Sequence, residues 1–374
     1  SGFFLPGAPW DDSAVSQAAP IYGLQAATDP VLAPGPCGTF NLVFVAFTRG
    51  GESKLVVARY RDTNDLEGGD TIVYEGMTVV ESGNNPDNGF FLDKPEIATD
   101  IMRPTDPADQ CAYRLYVSYS TFNGLTKDEK IQTKINFAKS EDGGLTFTKS
   151  KVQMPYNQNQ GSAIAVDPRP GMPKTTGGGT VYMVWRHFFD PDAVVMTKTE
   201  DFGKRWTKII EVTGDTPFQN FDQPTISTTA LVAQGFADGG TVNPDTAFRS
   251  NSFPTVEVAP YLDSGGDTAT PDDDEWDATV YVAWQERVDI DRESSTFGEP
   301  HPVERETSGL ANGSPRIVMV RSQDDGASWE GFDAAGASTD ERRAVDLFER
   351  DEPFDPSLEV PAPETRQAGP QVQP

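Results

Sequence analysis

The octet Ser322-Gln323-Asp324-Asp325-Gly326-Ala327-Ser328-Trp329 is the stretch from which the fold of this chain can be worked out. Its pattern of hydroxyl, any, Asp, any, Gly, any, any, aromatic recurs from Ser140 and from Thr199. In such a turn the Asp side chain bonds backbone N–H groups, the Gly supplies a positive φ, and the first hydroxyl holds the turn closed. The aromatic residue is expected to pack under the hairpin. Three copies, each after an apolar strand-like run, predict a repeated hairpin.

Strand-like runs surround the octets in a constant order. An inner strand leads to a second strand of the type Val-Tyr-x-x-Trp, then a third strand, the octet and an outer strand. Four antiparallel strands within roughly 60 to 90 residues are typical of one blade of a β-propeller. The predicted blades cover residues 25–80, 90–155, 156–215 and 247–340, with the start of a further blade at 341–374 and an N-terminal arm at 1–24.

Two parts of the chain depart from this order. The first blade lacks an octet, and residues 61–70 form a degenerate turn before an expected outer strand at 71–74. Residues 221–248 break the spacing between the third and fourth blades, either as a long insertion or as a reduced repeat. Because a propeller must close its ring to bury the face of its last blade, we expect either a longer parent chain or completion by another molecule.

Charge argues against two classes of partner. The 374-residue chain has a formal net charge of −28. Nucleic acids and anionic membrane surfaces bind basic patches, so neither is an expected partner. The acidity favours solubility, and specific binding of cations is the alternative interpretation. No apolar run approaches the length of about 20 residues that a membrane span requires.

The two cysteines, Cys37 and Cys111, each shortly precede a strand-like run. A disulfide between them fits an exported protein, provided that these loops of neighbouring repeats lie close together. We therefore predict a Cys37–Cys111 bond and an extracellular or cell-surface location. The only histidines, His187 and His301, are far apart in sequence, which argues against a His-rich zinc site.

The three octets resemble the Asp boxes, or BNR repeats, of sialidase-like β-propellers. The resemblance covers roughly residues 25–374 and implies an all-β fold of four-stranded antiparallel blades, six in a complete ring, of which this chain covers about four and the start of another. It also implies that the octets lie opposite the substrate pocket and act as scaffold. The octet residues that carry it are Ser140, Asp142, Gly144, Phe147, Thr199, Asp201, Gly203, Trp206, Ser322, Asp324, Gly326 and Trp329.

The same resemblance implies a catalytic pattern that this chain does not match. Sialidases of that family clamp the substrate carboxylate with three arginines and add a Tyr/Glu nucleophile pair and an Asp acid/base. The first arginine lies in a Phe-Arg-Ile-Pro-like motif, for which the nearest analogue here, Asp93-Lys94-Pro95, has a lysine. A lysine cannot supply the bidentate fork of a guanidinium. We therefore assign no catalytic residues.

Candidate ligand contacts follow from the predicted blade order. The loops between second and third strands, and those that lead into inner strands, are expected to face the central pocket. They carry the candidates Arg186, His187, Asp190, Arg249, Glu286 and Arg287. Such residues could bind a sugar acid, or they could be solvated loop charges with weak surface pairs. Trp185 and Trp284, which end the second strands, are expected to pack between blades or to form a platform for a sugar.

Two loops carry further candidates. Asp272, Asp273, Asp274 and Asp277 could bind Ca²⁺, although their spacing is not that of an EF-hand, or they could form a solvated acidic loop. Apart from this possible Ca²⁺, no cofactor is predicted. Residues 288–315 are long for a connector, so they are a lid, a partner contact or a surface loop.

These observations predict an exported binding or assembly module that recognises a glycan or a protein surface and is not catalytic. The first alternative is an exo-sialidase-type glycoside hydrolase. The second is a structural subunit of a surface filament or complex, in which the arm at 1–24 reaches a neighbouring molecule.

Overall fold

The structure is a computed structural model that describes residues 13–63, 72–84, 90–101, 111–123, 132–152, 158–167, 169, 179–188, 192–214, 252–263, 275–289, 313–332, 338–339 and 343–344. Over these residues, no helix combines the length and the hydropathy needed to cross a lipid bilayer.

The described residues form four four-stranded antiparallel sheets whose strands follow one another in chain order, and we call them blades 1 to 4. Blade 1 comprises β1 (Ala26–Pro34), β2 (Thr39–Phe47), β3 (Glu52–Asp62) and β4 (Ile72–Asn84). Blade 2 comprises β5 (Phe91–Ile101), β6 (Tyr113–Asn123), β7 (Gln132–Ser140) and β8 (Thr148–Ser150). Blade 3 comprises β9 (Asn159–Val166), β10 (Val181–His187), β11 (Ala193–Thr199) and β12 (Ile210–Glu211). Blade 4 comprises β13 (Thr255–Asp263), β14 (Glu275–Asp289), β15 (Gly313–Ser322) and β18 (Arg343–Ala344), with a hairpin of β16 (Gly331–Phe332) and β17 (Ser338–Thr339) before its last strand.

The blades are stacked radially. The first strands pack in chain order, β1 on β5, β5 on β9 and β9 on β13. A separate apolar cluster fills each space between neighbouring blades. The all-β propeller architecture of four-stranded antiparallel blades, predicted from the sequence, is therefore confirmed.

The second and third strands are continuous apolar runs because each blade is covered on both faces. In β3, every residue from Leu55 to Tyr60 is buried. Leu55 and Val57 face blade 2, whereas Val56 and Ala58 belong to the cluster on the opposite face. A strand covered on one face only would alternate between apolar and polar residues.

The described part of the N-terminal arm packs on that opposite face of blade 1. It begins with a short helix, α1 (Ala14–Gln17), and then Ile21 and Leu24 enter the cluster around Phe44. The outer strand of this blade is longer than the expected 71–74, because β4 pairs with the whole of β3 through two register shifts.

The octets have one set of hydrogen bonds in common. In the first, Ser140 Oγ donates to Asp142 Oδ1 at 2.6 Å and accepts from Gly144 N at 2.8 Å, while Asp142 Oδ1 accepts from Thr146 N at 2.9 Å. The octets at Thr199 and Ser322 repeat these bonds. In blades 2 and 3 the octet joins the third and fourth strands, as expected, and in blade 4 the β16–β17 hairpin follows it.

Each octet is pressed against the preceding blade at its glycine. A Cβ placed on Gly203 would lie 2.8 Å from the ring of Phe137 in blade 2. One on Gly326 would lie 2.4 Å from the end of Met196 in blade 3. The octets therefore connect blades as well as strands.

A disulfide joins Cys37, in the turn between β1 and β2, to Cys111, just before β6, with the Cα atoms 5.6 Å apart. The predicted bond is confirmed. The two loops meet because both lie at the octet end of adjacent blades.

Candidate functional site

The candidate site lies at the end of the blades opposite the octets, which we call the mouth. In blade 2, Ser140, where the octet begins, pairs with Leu115 at the start of β6, and Leu115 pairs with Thr99 near the end of β5. Asp93, near the start of β5, pairs instead with Ser120, near the end of β6. The mouth is therefore formed by the starts of the first strands and the ends of the second strands.

A left-handed residue lies at the mouth end of each first strand, inside the strand in blades 1 to 3 and just before it in blade 4. The four residues are Asp29 (φ 51°), Lys94 (φ 47°), Gly161 (φ 67°) and Ser252 (φ 47°). Strand pairing shifts register beside the first three, and Ser252 lies just before β13. A positive φ costs a non-glycine residue roughly 1 kcal/mol or more, and such strain is found preferentially at functional sites. Blades 1 to 3 therefore share the same local distortion at the mouth, and blade 4 has a left-handed residue just before the equivalent strand.

A cluster of hydrogen-bonding side chains from three blades lies beside these distortions. Gln160 of blade 3 donates from Nε2 to Asp93 Oδ2 of blade 2 at 2.9 Å. Asp29 of blade 1 lies close enough to act on the pKa of the Asp93 carboxyl. Burial, and to a lesser degree Asp29, raises the pKa of the Asp93 carboxyl, which Lys94 and Gln160 partly oppose.

An aromatic wall adjoins this cluster. The half-buried ring of Phe253, from blade 4, lies 5.1 Å from Lys94 Nζ and 6.3 Å, edge to face, from the ring of Phe188. A Cβ on Gly161 would come within 2.3 Å of the Phe253 ring, so this position needs glycine for space as well as for its positive φ.

Arg186 lies at the mouth but is fully buried. Its Nη2 and Nε atoms donate to the Asp192 carboxylate at 2.5 and 3.1 Å, and its guanidinium lies 4.2 Å from the ring centre of Phe188. The neighbouring His187 is also buried, and this burial lowers the pKa of the imidazole, although Asp192 and Glu211 act in the other direction. The predicted candidates Arg186 and His187 are therefore enclosed by protein rather than open to a ligand.

Glu286 is placed in a similar way in blade 4. It is 0 % exposed, and its Oε2 accepts a hydrogen bond from Trp284 Nε1 at 2.9 Å. Trp284 belongs to the cluster between blades 3 and 4 and Trp185 to the cluster between blades 2 and 3. Both tryptophans therefore pack between blades, which is the first of the two roles expected for them.

The remaining predicted contacts are described only in part. Arg287 and Asp277 lie in β14, where the structure defines their backbone. Asp190, Arg249 and the acidic residues Asp272, Asp273 and Asp274 lie outside the described residues, as does most of 288–315. Over the described residues, no group of three or more His, Cys, Asp or Glu side chains is arranged to hold a metal ion.

A second acidic pair lies on the first strands. Burial raises the pKa of Glu96 to about 6, the backbone N–H of Ile97 lowers it, and Glu257 of β13 raises it further. This pair, together with Asp29, Gln160, Phe188 and Phe253, was not among the sequence candidates. Asp29 and Lys94 lie at corresponding places in their first strands, but this correspondence shows only in the backbone conformation.

Comparison with known proteins gives limited information. No protein-family model and no curated protein matches the chain. Among solved structures, it is similar to the Hadza microbial sialidase Hz136, with 11% identity and a TM-score of 0.29 over 81% of this chain and 57% of that one. It is also similar to a protein described as a glycoside hydrolase, with 11% identity and a TM-score of 0.31 over 85% and 78% of the two chains. The chain thus spans little more than half of that sialidase, and similarity this low says nothing about ligand or reaction.

Proposed function

We propose that the protein is an exported, non-catalytic module that binds a glycan at its mouth. The observation that carries the proposal is the meeting of Asp93, Gln160 and Lys94 with the half-buried ring of Phe253. Carboxylate, amide and ammonium groups exchange hydrogen bonds with sugar hydroxyls, and an aromatic ring packs against the apolar face of a sugar. A few convergent polar groups beside aromatic surface are typical of small-molecule sites.

Binding of a neutral sugar has more support than recognition of a sialic acid carboxylate. Arg186 is buried and engaged with Asp192, so its guanidinium is not directed at a ligand. The other arginines with described ion pairs, such as Arg169 and Arg205, lie at the octet end. In the described part of the chain, three arginines do not converge at the mouth, and this disfavours the exo-sialidase alternative.

A glycoside hydrolase remains the second candidate because Asp93 has a carboxyl neighbour and a raised pKa, as a general acid requires. Retaining and inverting enzymes hold two carboxyl groups about 5 Å or more apart around the scissile bond. Asp29 is the carboxyl group that would partner Asp93 in such a reaction.

Binding of a protein partner, or assembly into a surface filament, has less support. The described part of the arm packs through Ile21 and Leu24 on blade 1 of its own chain. Export is supported by the Cys37–Cys111 disulfide, which is stable in oxidising compartments.

The proposal is tested by screening an array of neutral and acidic glycans and measuring affinities for the best ligand by calorimetry. F253L removes the ring but keeps apolar volume, and K94M removes the ammonium. We expect each variant to weaken binding by about tenfold, since one stacked ring or one charged hydrogen bond contributes about 1–2 kcal/mol. K204M, at an exposed octet position, is the matched control.

Two results would contradict the proposal. One is the absence of binding to any glycan, and the other is equal binding by F253L, K94M and the wild type. Fluorogenic glycosides, including a sialoside, test the hydrolase alternative. Turnover that D93N abolishes would establish an enzyme and overturn the non-catalytic assignment.

A further inference from the structure

Three phenylalanine rings lie side by side at the mouth of blades 1 and 2, and we call them the phenylalanine row. Phe47 ends β2, Phe91 begins β5, and Phe122 lies one residue before the end of β6. The ring centre of Phe91 is 6.4 Å from that of Phe47, edge to face, and 6.3 Å from that of Phe122. All three side chains are partly exposed. Apolar surface gathered in one place on the outside of a protein is typical of a binding site.

The phenylalanine row adjoins the polar cluster around Asp93 on one face of blade 2. Phe91 pairs directly with Phe122, and two residues further along β5 Asp93 pairs with Ser120. Directly opposite residues, and residues two apart along a strand, project on the same face of a sheet. Two residues of a strand extend about 6–7 Å. This spacing is comparable with that of neighbouring units in a sugar chain, so the row lies about one sugar unit away from Asp93.

The seam between blades 2 and 3 is closed on the inner side of Asp93. Ser162 Oγ of β9 donates to Ser118 Oγ of β6 at 2.9 Å, and both side chains are buried. Ser120, which lies between Ser118 and the mouth on the same strand, is 0 % exposed. A glycan in contact with Asp93 therefore cannot extend inward along this seam. The surface that lies outward of Asp93 on β5 is the phenylalanine row.

We propose that the phenylalanine row is a second sugar subsite, so that the mouth recognises a neutral oligosaccharide of at least two units rather than a single terminal sugar. This second subsite rests on the proposed function, because Asp93, Lys94 and Phe253 form the first one. Phenylalanine rings carry no hydrogen-bonding group and no charge, so the second subsite packs against the apolar face of a sugar unit. The first subsite, with its carboxylate, amide and ammonium groups, selects among hydroxyl patterns.

The test uses the whole protein and three forms of the neutral glycan that the array selects: the methyl glycoside of its sugar unit, its disaccharide and its trisaccharide. Calorimetry measures the three affinities. We expect the wild type to bind the trisaccharide about tenfold more tightly than the methyl glycoside, since one stacked ring contributes about tenfold in affinity. F122L keeps apolar volume but removes a ring of the row, and it should reduce this ratio of affinities to near one. F91L should do the same, whereas F253L, in the first subsite, should weaken both affinities and keep their ratio.

The matched control is F40L. Phe40 is also partly exposed, but it stacks on Tyr60 at the octet end of blade 1, so its replacement should keep both affinities. Equal binding of the methyl glycoside and the trisaccharide by the wild type would overturn the second subsite while leaving glycan binding at Asp93 intact. A wild-type ratio in both F122L and F91L would overturn it as well. Failure of the wild type to bind any glycan would end the proposed function and the second subsite together.

Discussion

Arg169, on the segment after β9, donates from Nη2 to Asp325 Oδ1 in the octet of blade 4, at 2.7 Å and across 156 residues of sequence. Two other arginines make comparable contacts with the octet of the next blade. Arg59 Nη1 donates to the carbonyl of Gly144 at 2.6 Å, and the Arg114 guanidinium lies 3.4 Å from the ring centre of Phe202. An arginine of each preceding blade thus holds the following octet in place.

The first prediction concerns the contact between Arg169 and Asp325. D325N keeps the shape of the side chain, and asparagine readily adopts the left-handed φ of 57° found here. The substitution removes the negative charge of the carboxylate that accepts hydrogen bonds from Arg169 and Tyr182. We expect the free energy of unfolding to fall by about 1–2 kcal/mol, because Arg169 is buried while Asp325 is partly exposed. Urea denaturation measures the loss, and Q323A, at an exposed octet position, is the control. A loss below about 0.5 kcal/mol, typical of a surface substitution, would show that the contact adds little.

The second prediction concerns acid stability. Partial burial raises the pKa of Asp142, but bonds from Ser140, Thr146 and Leu145 outweigh it, so the net shift is downward. A depressed folded-state pKa gives stability that is fully present above the unfolded value of about 4 and is lost as pH falls through the folded value. The unfolding temperature of the wild type should therefore fall as the pH drops below about 4, and that of D142N should fall less over the same range. Parallel curves for the two proteins would contradict this account.

The third prediction concerns Glu96, whose shift has the opposite sign. Its pKa is raised to about 6, so its contribution to stability is fully present below the unfolded value of 4.5 and is lost as pH rises through 6. E96Q mimics the protonated form and should stabilise the protein at pH 7 by about 1–2 kcal/mol. The stability difference between E96Q and the wild type should shrink between pH 6 and 4.5. E257Q should produce a smaller change, because Glu257 acts on Glu96 only through its charge.

The sequence predicted the features that depend on local patterning. An octet contains its own hydrogen bonds, so Asp142 and Gly144 indicate the turn without knowledge of the rest of the chain. The mouth could not be predicted in this way, because Asp29, Asp93, Gln160 and Phe253 meet only after the blades have stacked. Polarity alone was also a poor guide to exposure. Glu286 was expected to face a ligand, yet its side chain is buried beside Trp284.

The fourth prediction concerns the disulfide. It closes a loop across 74 residues of sequence and joins blades 1 and 2, and both cysteines are exposed to reductant. Cross-links of this span stabilise by about 4.5 kcal/mol in the chain-entropy treatment. C37S/C111S should lose stability of that order, and a reductant should lower the unfolding temperature of the wild type towards that of the variant. If the variant itself responds to reductant, the effect does not arise from this bond.

The fifth prediction separates space from backbone strain at the mouth. Gly161 and Gly50 have nearly the same φ, 67° and 69°, but only Gly161 has a neighbour where a Cβ would be placed, the Phe253 ring. G50A should cost about 1 kcal/mol from its positive φ alone. G161A should cost about 1–3 kcal/mol more, because the added methyl group forces the ring or the strand to move. Chemical denaturation of both variants measures the difference, and G161A should also weaken glycan binding because Phe253 is displaced. Equal destabilisation by the two substitutions would mean that the Phe253 ring yields without cost, and that Gly161 is needed for its backbone conformation alone.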